Sequence, residues 1–433
     1  MQAELLCGHD IIPVTVPATA TLLEMKPASR LSDPEAAVSL ALDQPIASPP
    51  LAELAKGKHT ACIVISDITR PVPNRLILPP ILQTLEQAGI DRDKITILIA
   101  TGMHRPNLGQ ELETLVGPDI KRNYRIVNHE CRKAEDYREI DRIEGAPIEI
   151  NVHYLDADLK ILTGLIEPHF YAGYSGGRKA ILPGISSYET MKFMHSYQVI
   201  DHPRVANCVL DGNIFHEYGL RVTEAAGADF ILNVVIDSKR ELCGVFGGHY
   251  DQAHLKGCAM VRDHSVVEVD SQADLVITSG GGAPLDATLY QVSKGLTCAK
   301  DMLKKGGTIV IAAECSEGLG SAEFCGIMQS VCSPREFFEH YCEPENFVID
   351  QWCAQNIYQA LDHAGEVYIY SPGLSRDDLA KTGMIKIDDP QATVDRLLPT
   401  HPRVIVSPEG PYVVGMVRRQ NSEYRSQRSE NRG

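Results

Sequence analysis

Between Gly164 and Ser196 the sequence GLIEPHFYAGYSGGRKAILPGISSYETMKFMHS gathers His169, a glycine-rich turn from Gly173 to Gly177, Lys179 and His195. Adjacent glycines such as Gly176 and Gly177 let backbone N–H groups approach an anion with no side chain in the way. Lys179, just beyond them, offers a charge for a phosphate or, once deprotonated, a nucleophilic amine. The two imidazoles can act as bases, as acids or as ligands to a borderline metal.

Three further groups can be read against this stretch. SDITRPVPN sets Asp67 three residues before Arg70, an acid beside a guanidinium able to grip a carboxylate in two hydrogen bonds. A structural pair bracing a proline-rich loop explains it equally well. ATGMHRPN carries His104, which alone reads as a histidine satisfied within a turn. Paired with His169 it reads as one of two bases facing opposite sides of a carbon. SGGGAPLDATLYQVSK carries Tyr290, Gln291 and Lys294 in a helix expected from near Leu285, with Tyr290 and Lys294 on one face. An exposed polar face is the plainer account. Trp352, the single tryptophan, is expected in a core or beside a flat cofactor. His129, His202 and His216 have no partner at informative spacing and are read as structural.

The elements that position these groups follow a strand–loop–helix rhythm. HTACIVISD and ITILIATGMHRP are apolar runs ending in polar residues, as buried parallel strands do. Helices are expected over RLILPPILQTLEQAG and Asn107 to Val116, and strands at Arg125–Asn128, Ile148–His153 and Leu159–Leu165. A hairpin turning at Asp237 to Arg240 and a helix over Tyr250 to Asp263 follow. ADLVITSGGG restarts the pattern. The expected fold is α/β, two doubly wound α/β domains with the active site in the cleft between them. Residues 1–270 form the N-terminal domain, which carries His104, His169, Lys179 and His195. Residues 271–417 form the C-terminal domain, and the polar segment 418–433 is read as a disordered tail.

Composition narrows the class. A net charge of −16 over 433 residues excludes nucleic acid as the main partner. Twelve cysteines with no C-x-x-C pair point to reduced thiols in a cytoplasmic protein. The first residues show no signal peptide, and no apolar run reaches membrane-spanning length.

Taken together, SDITRPVP, ATGMHRP, GLIEPHFYAGYSGGRKAILPGI, MHS, DGN-x-x-HE, SGG-x-x-P-x-D-x-x-x-YQ-x-x-K and DQW resemble the nickel-dependent lactate racemase family over most of the chain. The resemblance implies a racemase or epimerase of a 2-hydroxy acid. Its cofactor is a nickel-pincer nucleotide, a pyridinium-3,5-bisthiocarboxylic acid mononucleotide holding Ni through two sulfurs and a carbon. It implies Lys179 as the covalent tether, His195 as the protein's nickel ligand, and His104 and His169 as paired bases. Arg70 and Lys294 would hold the substrate carboxylate or line the cofactor site, with Asp67, Gly176, Gly177, Tyr290, Gln291 and Trp352 around the cofactor. Proton loss to a histidine with hydride transfer to the cofactor gives a neutral ketone and avoids a carbanion beside a carboxylate. Cofactor-synthesis enzymes are implied as maturation partners.

Two other readings remain at this stage. A metal-dependent hydrolase or lyase would use His104, His169 and His195 as ligands, leaving Lys179 idle. A non-catalytic binder of an anionic metabolite would use Arg70 and Lys294 and need neither catalytic histidine. Oligomeric state, and which 2-hydroxy acid is the substrate, are not expressed in the sequence.

Overall fold

The computed structural model describes residues 1–237 and 239–418 and divides into two compact units. One is Lys26–His264. The other combines Met1–Met25 with the described residues from Ser265 onward.

In the Lys26–His264 unit, six strands lie in the order Leu242–Gly248, Phe230–Ile236, Leu159–Leu165, Ala61–Ser66, Ile95–Ala100 and Arg125–Asn128. All neighbours are parallel except Leu242–Gly248, which returns antiparallel as the expected hairpin. Residues 61–65 are buried throughout, the mark of a strand covered on both faces. Ile63 and Ile65 share a core with Ile77, Ile81 and Leu85 of the helix Asn74–Gln87. Along the chain the sheet grows first toward Arg125–Asn128 and then, from Ala61–Ser66, in the opposite direction through Leu159–Leu165. The order therefore reverses between Ala61–Ser66 and Leu159–Leu165, and a doubly wound sheet opens a ligand crevice beyond the carboxyl ends at such a reversal. The hairpin turn is described except at residue 238; Asp237 Oδ1 accepts from the amides of Lys239 and Glu241 at 2.8 and 3.0 Å.

The second unit holds six parallel strands in the order Ile385–Ile387, Glu366–Tyr370, Leu303–Ala312, Ala273–Ser279, Val404–Ser407 and Thr21–Leu22. Its reversal lies between Ala273–Ser279 and Val404–Ser407. The helix Leu289–Met302 follows the first of these strands.

The N-terminal residues correct the sequence-based boundary. Residues 1–25 belong with the second unit, not with a 1–270 domain. Gln2–Cys7 and Asp10–Thr15 form a hairpin whose alternating residues Ala3, Leu5, Cys7 and Val14 share a core with Leu275, Ile277 and Val310. Thr21–Leu22 then extends the sheet edge beside Val404–Ser407. Side chains in so short a hairpin have no core of their own and take the apolar face of the sheet they meet. Arg418, placed at the start of a disordered tail, donates its amide to Val269 and pairs with Glu268 and Asp270. Residues 419–433 lie outside the described residues. Among the described residues no helix is long and apolar enough to cross a membrane.

Candidate active site

The loops after the central strands of the Lys26–His264 unit carry Asp67, Arg70, His104 and His169. Asp67 is buried, and its Oδ2 lies 2.6 Å from His104 Nδ1 while its Oδ1 accepts from Thr69 Oγ1 at 2.7 Å. Burial pushes the Asp67 carboxyl up, but the hydrogen bonds from His104 and Thr69 and the charge of Arg70 outweigh it and hold the group below its ordinary value. It is a carboxylate at neutral pH. Arg70 spans the reversal point, donating from Nη1 to Glu167 Oε1 at 3.1 Å. Asn107 and Asn128 lock the loops together: Ile68 donates to Asn107 Oδ1 and Asn107 N to Asn128 Oδ1. Gly102 N donates to Gly184 O, which ties the His104 loop to the central stretch.

That stretch is held by buried side chains. Pro168–His169 pairs with Gly173–Tyr174, so the chain folds back on itself after His169. His169 Nδ1 accepts from the amides of Tyr171 and Ala172 at 3.1 and 3.2 Å. Asn213 Nδ2 donates to Tyr171 O. Arg178 Nη2 donates to the carbonyls of Ala172 and Tyr174. His254 Nε2 lies 2.9 Å from Ser175 O, and Gly177 N donates to Asn233 Oδ1 at 2.7 Å. Arg178 is 2% exposed and His254 1% exposed, so this is an interior clamp on residues 171–177. Burial and the neighbouring Arg178 charge keep His254 far below its usual pKa, hence neutral.

The glycine turn differs from its sequence reading. The Gly177 amide, expected to face an anion, is already committed to Asn233. A Cβ on Gly177 would meet the His254 ring at 2.9 Å, and one on Gly176 would meet Asn233 Oδ1 at 2.8 Å. Both have positive φ, +77° at Gly176 and +51° at Gly177. These glycines serve close packing and backbone reversal.

The turn delivers Lys179 on the short 3₁₀ segment Gly177–Ala180. Burial around its amine pushes its pKa down to about 7, with Arg70 and Arg178 adding to the effect and Glu167 opposing it. A substantial neutral, nucleophilic fraction therefore exists at neutral pH. His195 caps the helix Tyr188–Met194, and its Nδ1 sits 3.0 Å from Met191 O. A carbonyl only accepts, so Nδ1 carries the hydrogen and Nε2 keeps its lone pair. Burial pushes His195 down to about 4, the Met191 bond opposing and the Lys179 charge adding. A neutral imidazole oriented by a backbone carbonyl is the form that ligates a metal. The rings of Tyr171 and Phe215 flank it edge-on at 6.2 and 5.8 Å.

Among the described residues, no three His, Cys, Asp or Glu side chains are grouped to hold a metal ion. The three-histidine ligand set of the hydrolase reading, His104 with His169 and His195, is not assembled. One protein imidazole beside a lysine instead fits a metal whose other donors come from an attached organic group.

In the second unit the helix expected from Leu285 begins at Leu289, because Thr288 caps it through a hydrogen bond from Gln291 N. Tyr290 and Lys294 remain one turn apart on it. Tyr290 Oη accepts from Trp352 Nε1 at 3.1 Å, which joins this helix to Gln351–His363. Asp350, in the left-handed region at φ +69°, is held by Ser321 Oγ at 2.6 Å and sets the start of that helix. Gln291 Oε1 is buried with no hydrogen-bond partner among the described residues. A buried acceptor in that condition calls for a donor supplied by a ligand or water.

Glu167, Arg178, Asn213, Asn233 and His254 were not singled out from sequence. Glu167, Arg178 and Asn213 lie inside the motifs that carry the family resemblance, whereas Asn233 and His254 carried no signal. His216, read as structural, is buried within reach of the Arg178 charge, which with the larger effect of burial pushes it down to about 3.

The lactate racemase N-terminal domain family matches residues 7–207 and the lactate racemase C-terminal domain family matches residues 268–414. A lactate racemase of Thermoanaerobacterium thermosaccharolyticum is 39% identical over 327 residues, 75% of this chain and 76% of that protein. One of Lactiplantibacillus plantarum is 38% identical over 345 residues, covering 79% and 80%. The structure of the T. thermosaccharolyticum lactate racemase apoprotein superposes with a TM-score of 0.88 at 33% identity, covering 96% of this chain and all of that one. A Thermotoga maritima protein shares the fold, with a TM-score of 0.67 at 18% identity over 91% of this chain. With both domains matched and such relatives over most of its length, the chain belongs to the lactate racemase family.

Proposed function

We propose that this protein interconverts the enantiomers of a 2-hydroxy acid, lactate being the first to test, with a nickel-pincer nucleotide tethered to Lys179 and ligated by His195. Membership of the family makes it a racemase, an isomerase. The observation that carries the cofactor assignment is the pairing of a lysine lowered to about 7 with a neutral imidazole whose Nδ1–H is committed to Met191 O. When bound, the cofactor supplies a hydride-accepting pyridinium next to a Lewis-acidic nickel.

The chain's own residues supply the rest. Arg70 keeps guanidinium donors beyond the single bond to Glu167 and binds the substrate carboxylate. His104 takes the hydroxyl proton, and the Asp67 carboxylate behind it stabilises the imidazolium that results. His169 serves the opposite face. Tyr290, Gln291, Lys294 and Trp352 are the residues that the family's motifs assign to the cofactor and substrate, with Lys294 contributing the charge. No disulfide joins the described cysteines, which suits a reducing cytoplasm, where the cofactor-synthesis enzymes would load the protein.

The test is intact-protein mass with nickel analysis after co-expression with those enzymes. A mass addition mapping to Lys179 with about one nickel per chain, and conversion of one lactate enantiomer into the other, is the expected result. No adduct and no nickel, with the maturation system active on a control protein, would remove the reading.

A further inference from the structure

We infer that the two histidines assigned to proton transfer rest in opposite tautomers, His104 with its hydrogen on Nδ1 and His169 with its hydrogen on Nε2. The catalytic consequence rests on the proposed function; the tautomers rest on hydrogen bonding alone.

For His104 the partner is a carboxylate. Asp67 Oδ2 lies 2.6 Å from Nδ1, and Asp67 Oδ1 is occupied by Thr69 Oγ1 at 2.7 Å, so the carboxylate is fixed as an acceptor. The imidazole hydrogen therefore sits on Nδ1, and Nε2 presents its lone pair. For His169 the partners are donors. The amides of Tyr171 and Ala172 both point at Nδ1, at 3.1 and 3.2 Å, and both residues are buried. An amide never accepts, so Nδ1 keeps its lone pair and the neutral ring carries hydrogen on Nε2. Flipping the ring would aim both amides at a carbon and leave two buried donors unpaired. The ring plane is also set by stacking on Phe170, 5.0 Å away and 5° from parallel. The Ala172 carbonyl is held from the other side by buried Arg178, which keeps these amides in place.

The two residues are thus unequal at rest. His104 meets a substrate hydroxyl as a ready base. His169 meets a substrate oxygen as a hydrogen-bond donor. To accept a proton at Nε2, or to deliver one from the imidazolium, His169 must carry hydrogen on Nδ1. Either role requires the Tyr171 and Ala172 amides to let go of that nitrogen. The 169–172 turn is the part of the site that must rearrange once per turnover, and the Asp67–His104 pair is the part that need not.

The test is long-range proton–nitrogen NMR of the full chain with ¹⁵N-labelled histidine, above pH 7.5, before cofactor loading. His104→Gln and His169→Gln assign the two rings by deleting one signal set each. The expected result is a protonated Nδ1 on His104 and a protonated Nε2 on His169. The same tautomer on both rings, or hydrogen on Nδ1 of His169, would overturn the inference. Asp67→Asn gives a second reading. Thr69 Oγ1 would hold the amide oxygen and turn the NH₂ toward His104, so the His104 hydrogen should move to Nε2 while His169 stays unchanged. An unmoved His104 hydrogen would show that Asp67 does not set it. Opposite tautomers in a loaded protein that turns over neither enantiomer would keep the inference and remove the proposed function.

Discussion

Arg178 lays its side chain against the backbone of Gly219, so closely that a Cβ there would stand 2.7 Å from Arg178 Cγ. Gly219 lies inside the helix Ile214–Ala226, where alanine is normally better by about 1 kcal/mol. Here the sign reverses. Cγ belongs to the stem of a fully buried arginine that clamps the Ala172 and Tyr174 carbonyls, and it has no room to retreat. Gly219→Ala is expected to lose about 1–3 kcal/mol, read as a lower urea midpoint with unchanged slope. A rise in midpoint would show that the clamp yields easily.

The clamp also marks where sequence reading stops. The glycine turn drew notice for its amides and for Lys179, yet the Arg178 between them is interior and its partners are two carbonyls and an imidazole. His254 arrives from a helix far along the chain, and nothing in QAHLKGCAM announces that it will cover Gly177. What was legible is what local pattern encodes. Buried strands end in polar loops, and those loops carry Asp67, His104 and His169. Lys179 and His195 stood out by residue type beside the glycine turn, but their roles as tether and nickel ligand were legible only through the family's motifs. Residues 1–25 went to the wrong unit because a short hairpin shows which residues are apolar but not which sheet they cover.

Asp67→Asn keeps the size of the residue and removes its charge. With the His104 hydrogen displaced to Nε2, the base loses its lone pair toward substrate, and any imidazolium loses its carboxylate. Turnover is expected to fall by about two to four orders of magnitude, with the Lys179 adduct and nickel content unchanged by mass and metal analysis. Turnover within a few-fold of the unaltered protein would remove Asp67 from this role.

His129 gives a pH dependence that needs no cofactor. It is 1% exposed, near Tyr137 Oη at 3.1 Å, and burial pushes it down to about 4, with the smaller effects of a backbone bond to Ser186 and of Asp136 opposing. Unfolded, it titrates near about 6.5. Between these values the unfolded chain binds the extra proton, so stability rises with pH. The contribution is intact above about pH 6.5 and falls by about 1.4 kcal/mol per unit on acidification, until about pH 4. Urea midpoints should drop from pH 7 to pH 5, and His129→Gln should make that slope shallower by one proton. An unchanged slope in the variant would mean that His129 is protonated in the folded protein.

Lys179 can be tested by chemistry that lysine alone performs. Its amine, lowered to about 7 chiefly by burial and then by Arg70, is substantially neutral at physiological pH and becomes mostly protonated below that value. Attachment of the cofactor through this nitrogen needs the neutral form, because an ammonium has no lone pair to give. Adduct formation in a reconstituted maturation mixture should therefore slow progressively below about pH 7, once the maturation enzymes' own pH dependence is divided out with a second acceptor protein. Lys179→Ala should abolish the adduct, because it removes the amine. Lys179→Arg should do the same, because guanidinium stays protonated and non-nucleophilic while preserving the positive charge. Arginine separates the two roles the sequence left open for this residue. An anion held only by charge would still bind to the Arg variant, whereas a covalent tether would not. Mass spectrometry of the denatured protein reads the difference directly, since only the covalent group survives unfolding.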